Sequence, residues 1–97
     1  MQEKIAKRFF VSGMVQGVGY RFFATRAAER IGVTGWVKNL RDGRVEVYAI
    51  GSPKALNELQ RELKRGPAGS IVDDVREEQS EIDAQYANHF TIEHEGW

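Results

Sequence analysis

The sequence predicts an α+β fold in which two helices pack on one face of a mainly antiparallel sheet. Two stretches carry helical apolar spacing, and each lies between stretches of β-type character. A tight Asp42-Gly43 turn joins the two central β-type runs as a hairpin. At 97 residues, 41% of them hydrophobic, the chain has the length of one domain with one core, taken as residues 1–97.

Ile5 to Ser12 reads as the first strand. Phe9 and Val11 share one face, and Arg8, Phe10 and Ser12 the other. Three glycines follow within Gly13-Met14-Val15-Gln16-Gly17-Val18-Gly19-Tyr20-Arg21. The first helix begins near Tyr20, because Tyr20, Phe23, Ala24, Ala27, Ala28 and Ile31 form one apolar stripe. Gly32 stops it. Val33 to Leu40 is the second strand, and Arg41 to Arg44 the turn. Val45 to Ile50 returns, with Val45, Val47 and Ala49 on one face. Ser52 caps a second helix with Pro53 in its first position, and Leu56, Leu59 and Leu63 mark its buried side. Lys64 and Arg65 suit its C-terminal dipole, and Gly66-Pro67 ends it.

Ile71 to Gln79 is read as an edge strand defended by its acids, with Ile71 and Val75 pointing inward. Ser80 to Asn88 reads as a loop and His89 to Glu95 as a short last strand through Phe90 and Ile92. The order β-α-β-β-α-β is the split-βαβ, or ferredoxin-like, arrangement.

Composition narrows the function. There is no cysteine, so disulfides and thiolate zinc sites are excluded. No apolar run of about 18 residues suggests a membrane span. The charged start, Met1-Gln2-Glu3-Lys4, is unlike a signal peptide. The expectation is a cytoplasmic monomer. Net charge is zero, but residues 1–65 hold 13 Lys/Arg against 6 Asp/Glu, and residues 66–97 hold 1 against 8. The glycine loop lies in the basic part, which suits an anionic ligand, although the acidic tail could equally lie against that part as surface complementarity.

The loop has the chemistry of an anion site. Its glycines allow left-handed backbone, and successive N–H groups in such a turn converge into a nest. The positive end of the helix dipole points into the same space, and Arg21 can add a planar set of donors. On spacing alone, an ordinary strand-to-helix turn stays open. The loop is neither a P-loop nor a dinucleotide fingerprint. In a split-βαβ fold Asn39 could face this loop and hold a water, or simply be a satisfied side chain beside the hairpin. His89 and His94, five residues apart on the expected last strand, would point to opposite faces, and no metal site is expected.

Two motifs then identify a family. Gly13 to Arg21 closely resembles the first signature of the acylphosphatases, and Gly35-Trp36-Val37-Lys38-Asn39-Leu40-Arg41-Asp42-Gly43 resembles the second. Their separation, the chain length and the element order agree, so the resemblance covers essentially the whole chain. It implies that the backbone N–H groups of Gln16, Gly17, Val18, Gly19, Tyr20 and Arg21 cradle a phosphoryl group. Arg21 would bind its oxygens, and Asn39 would hold the attacking water. Tyr20 stands where the family more often has Phe. The implied reaction is metal-independent hydrolysis of a small-molecule acyl phosphate to carboxylate and inorganic phosphate, with no cofactor.

Two rivals keep the fold and drop the chemistry. One is a phosphate- or carbamoyl-phosphate-binding module, as found within larger maturation proteins; the shortness of this chain favours a free-standing hydrolase. The other is RNA binding, with Phe9, Phe10 and Tyr48 as stacking aromatics on an open sheet face. Zero net charge and the lack of an RNP-type sequence argue against any nucleic-acid partner.

Overall fold

The computed structural model describes residues 3–94, so Met1, Gln2 and residues 95–97 lie outside it, among them Glu95 of the expected last strand. Five strands form one sheet: β1 (Ile5–Met14), β2 (Thr34–Asn39), β3 (Val45–Gly51), β4 (Ile71–Ser80) and β5 (Phe90–Ile92). Helix α1 (Tyr20–Ile31) joins β1 to β2, and α2 (Pro53–Arg65) joins β3 to β4. The sheet order is β4-β1-β3-β2-β5, antiparallel except where β5 runs parallel to β2. The expected last strand is only Phe90–Ile92, and a short 3₁₀ turn, Ala84–Tyr86, interrupts the expected loop before it.

Sheet register decides what meets at the end of the sheet from which the glycine loop leaves. Val11 of β1 and Asn39 of β2 both align with Val45 of β3, one on each side. With strands about 4.8 Å apart, they lie about 10 Å from one another. Both strands run in the same direction, because each is antiparallel to β3. The loop leaving β1 therefore starts at the end of the sheet where Asn39 sits.

The helices bury one face of the sheet. Phe9, Val11, Val37, Val45, Val47 and Ala49 are fully buried beneath α1 and α2. The stripe expected on α1 is present through Tyr20, Ala24, Ala27 and Ala28, and the α2 face is Leu56, Leu59 and Leu63. Small alanines form the sheet-facing side of α1, and leucines that of α2. Ser52 caps α2 as its sequence implied, its hydroxyl accepting from Ala55 N–H at 3.1 Å.

β4 departs from the expected pattern. Ile71 is 57% exposed, and Val72 packs on the core with Val75 instead. The cause is a register shift: Ser12 pairs with Asp74 but Gly13 pairs with Val72, leaving Asp73 as an extra residue. One inserted residue exchanges the two faces of a strand, so Val72 turns inward and Ile71 outward. Gly13 permits the close approach there, since a Cβ on it would come 2.1 Å from the Ile71 carbonyl oxygen.

The three aromatics imagined as an open stacking platform are not one. Phe9 is buried on the helix side. Tyr48 is also buried, though on the other face, where its ring stacks on Trp36 at 5.7 Å. The Tyr48 hydroxyl donates to the Glu81 carbonyl at 2.6 Å and accepts from Asp83 N–H at 2.7 Å, fastening the segment after β4. Phe10 alone remains partly accessible, between the guanidinium groups of Arg44 and Arg76 at 5.0 and 5.2 Å.

A tyrosine at the start of α1 adds one interaction that phenylalanine would lack. The Tyr20 hydroxyl donates to the Leu63 carbonyl at 2.6 Å, tying the first turn of α1 to the last turns of α2. Burial pushes its pKa upward, out of the ordinary tyrosine range. Tyr20→Phe should destabilise the protein by about 1–2 kcal/mol, because a buried carbonyl loses its donor. Denaturant unfolding at unchanged m-value would measure that loss.

Candidate active site

The first turn of α1 forms one wall of a small cavity of about 120 Å³, lined by Val15, Gly17, Gly19, Tyr20, Arg21, Phe22 and Asn39. Val15 is buried and anchors the loop to the core. Gly17 and Gly19 hold left-handed backbone at φ 77° and 78°. A side chain at Gly19 would meet nothing within 4 Å, so the conformation rather than the space requires glycine there. Gly19 is the N-cap of α1, and its carbonyl accepts the first helical hydrogen bond, from Phe23 N–H at 3.0 Å. The N–H groups before Phe23 have no acceptor within the helix, and they carry the positive end of its dipole.

Arg21 and Asn39 reach this cavity from different elements. The Arg21 guanidinium has no ion-pair or hydrogen-bond partner among the described residues. Asn39 ends β2, and its side-chain carbonyl oxygen is buried without a hydrogen-bond partner among the described residues. A buried acceptor left unpaired costs about 1–3 kcal/mol, so a site that tolerates one is arranged for something that donates to it. At about 30 Å³ per molecule the cavity has room for several waters, or for a small oxyanion with a water beside it.

Four of the six residues expected in the cradle, Gly17, Gly19, Tyr20 and Arg21, line the cavity, whereas Gln16 and Val18 do not. Val18 packs partly on the core. Tyr20 contributes its backbone end, since its hydroxyl is engaged with Leu63. Gln16 does something that its position in the sequence gave no sign of. Its side-chain amide donates to the Leu40 carbonyl at 2.7 Å and to the Arg44 carbonyl at 2.9 Å. Those two residues close the β2–β3 turn, where Leu40 N–H donates to Arg44 O at 2.8 Å. Both amide hydrogens thus clamp the loop to the hairpin that carries Asn39. The partners are backbone carbonyls, which no side-chain pattern reveals.

The hairpin turn has its own electrostatic support. Asp42 accepts from Arg44 N–H at 3.0 Å and from Arg44 Nε at 2.9 Å. The backbone hydrogen bond above all, with the guanidinium after it, lowers the Asp42 pKa. His89 and His94 flank β5 on either side rather than sharing a strand, and His89 lies against the Tyr86 ring at 6.0 Å. Among the described residues no three His, Cys, Asp or Glu side chains cluster as metal ligands.

Residues 7–92 match the family model described as Acylphosphatase. The chain belongs to the acylphosphatase family. It is 54% identical, over 79% of its own length and 80% of the relative's, to an acylphosphatase of Solibacter usitatus strain Ellin6076. It is similar in structure to the crystal structure of an acylphosphatase from Bacillus subtilis, with TM-score 0.85 and 38% identity, covering 91% of this chain and 97% of that one. It also shares a fold with full-length HypF in its phosphate- and nucleotide-bound form, at TM-score 0.83 and 24% identity. That match spans 99% of this chain but 13% of the larger one. The family's ferredoxin-like fold is the one described above, and in this chain β5 lies at the β2 edge of the sheet.

Two outcomes follow from the clamp and the turn. Gln16→Met, of similar length but without donors, should weaken inorganic phosphate binding about tenfold, or about 1.4 kcal/mol, while the unfolding transition moves little. Titration calorimetry beside thermal unfolding would separate the two effects. For Asp42, a lowered folded-state pKa means stabilisation that is present above the ordinary aspartate value of about 3.9 and lost as pH falls through the folded value. The acid limb of the pH–stability curve should therefore be shallower in Asp42→Asn.

Proposed function

We propose that this protein hydrolyses small-molecule acyl phosphates by direct attack of water on phosphorus, with Arg21 and Asn39 as the catalytic residues. The backbone N–H groups from Gln16 to Arg21 bind the phosphoryl oxygens, assisted by the dipole of α1. The Arg21 guanidinium takes two equatorial oxygens through its fork and neutralises charge as the transition state forms. Asn39 accepts a hydrogen bond from the attacking water and fixes it opposite the acyl oxygen. The bond from phosphorus to that oxygen breaks, and the carboxylate leaves with the electron pair. The water proton passes to a phosphate oxygen of the substrate.

What carries this reading is the convergence of three features on one cavity: the N-terminus of α1, an unpaired guanidinium and a buried, unpaired amide oxygen. A carboxylate is a good leaving group, so neither a protein general acid nor a metal ion is required. Asn39 has no titratable proton near neutrality and acts by position. The reading extends to a monomeric, cytoplasmic, one-domain enzyme of residues 1–97 with no nucleic-acid partner. The absence of cysteine and the zero net charge support it.

Phosphate release from benzoyl phosphate in excess EDTA tests the chemistry. Arg21→Lys should lose both phosphate affinity and turnover, because an ammonium cannot reproduce the fork. Asn39→Ala should lose about a hundredfold or more in kcat, comparable to removing one transition-state hydrogen-bond donor, yet keep phosphate affinity. Equal loss of affinity in both variants would sink this division of labour. Replacing His89 and His94 together should leave turnover intact; its abolition would mean that an imidazole base is required.

A further inference from the structure

A second, larger concavity opens beside the phosphate cavity. It has a volume of about 590 Å³ and runs between α1 and α2. Gly19 and Phe22 line both spaces, so the two adjoin at the start of α1. Phe22 is 69% exposed, an unusual position for a large apolar ring, and it stands at this junction. From Phe22 the lining follows α1 at four-residue intervals to Arg26 and Arg30, with Arg65 of α2 opposite.

The charge of this groove is unbalanced. Three guanidinium groups share it with a single carboxylate, that of Glu62. Arg65 and Arg30 both engage Glu62, at 2.6 and 3.3 Å. Arg26 has no ion-pair or hydrogen-bond partner among the described residues. The groove thus has an apolar entrance at Phe22, beside the reacting centre, and an unneutralised cation one turn further along. Arg26 stands five residues beyond Arg21, about 7.5 Å along the helix axis.

Taking the phosphate cavity as the reaction centre, as proposed above, we propose that this groove is the subsite for the acyl part of the substrate and that Arg26 selects acyl groups ending in a carboxylate or phosphate. The apolar body of the acyl group lies against Phe22, and its distal anion meets the Arg26 guanidinium, with Arg30 adding to the field. Phe22 and Arg26 set the specificity of the reaction and stand outside the phosphoryl chemistry. The matched ligand is an acyl phosphate with two anionic ends separated by a short, stiff apolar spacer.

Acylphosphonates, whose carbon–phosphorus bond resists hydrolysis, test the groove independently of turnover. The pair to compare by calorimetry is 4-carboxybenzoylphosphonate and 4-methylbenzoylphosphonate, on the full chain at low salt. The expected result is about tenfold tighter binding of the carboxylate compound to the wild type. That advantage should disappear in Arg26→Gln and persist in Arg61→Gln, which removes an exposed cation of α2 that does not line the groove. Affinity for the methyl compound should stay the same throughout. Equal affinities for the two compounds in the wild type, or an equal loss of preference in Arg61→Gln, would overturn the subsite. Benzoyl phosphate hydrolysis on the same samples keeps the two readings apart. A carboxylate preference without turnover supports the subsite and defeats the hydrolase, whereas turnover without a preference does the reverse.

Discussion

The phosphoryl cradle of backbone N–H groups proposed above works only if the backbone is held still, and the packing of this molecule meets that constraint. A side chain can be repositioned by a rotamer change, but a row of peptide groups cannot be aimed without fixing the chain on both sides. Here β1 fixes the loop at its entry and α1 at its exit. Val15 pins its underside to the core, and the Gln16 amide secures its outer side to the β2–β3 turn. The Gln16 bonds cross 24 and 28 residues of sequence, so the cradle is held by tertiary structure as well as by its own glycines. The same hairpin carries Asn39. One clamp therefore keeps the loop in register with the residue proposed to hold the water.

The two helices supply what the cradle needs in different ways. α1 brings its N-terminus and its dipole to the cavity, and its alanines face the sheet. α2 has no part in the cavity, yet its Leu63 carbonyl receives the Tyr20 hydroxyl and so steadies the first turn of α1. An arrangement with α2 displaced would leave that carbonyl buried and unpaired. The stabilising contact and the functional turn are thus the same few residues. The groove between the helices is a by-product of this packing that its arginines turn into a charged surface.

Much of this was legible in the sequence, for physical reasons that differ by element. Apolar spacing placed α1 and α2 well, because a helix that buries one face must repeat that spacing. The Asp42-Gly43 turn placed the central hairpin because few other sequences take that geometry. The β4 face was misread at Ile71, since one extra residue at Asp73 exchanges the two sides of a strand and leaves no mark in the composition. The parallel pairing of β5 with β2 was equally hidden, three residues being too short for a pattern. In the candidate site, Arg21, Asn39 and the glycines could be named from two motifs. The side-chain role of Gln16 and the position of the Arg26 groove beside the cavity could not, because they depend on carbonyls and surfaces brought together by folding.

The route of the chain through the sheet has a kinetic consequence. β1, which launches the loop, has β3 and β4 as its neighbours, and β2, which ends in Asn39, reaches it only across β3. A nascent chain that has made α1, or even the β2–β3 hairpin alone, holds no working cavity. The cavity needs a long-range pairing whose loop-closure cost is met late. During refolding, recovered phosphate affinity would therefore mark the arrival of β1 beside β3, a clock for a long-range pairing that helix formation alone could not start.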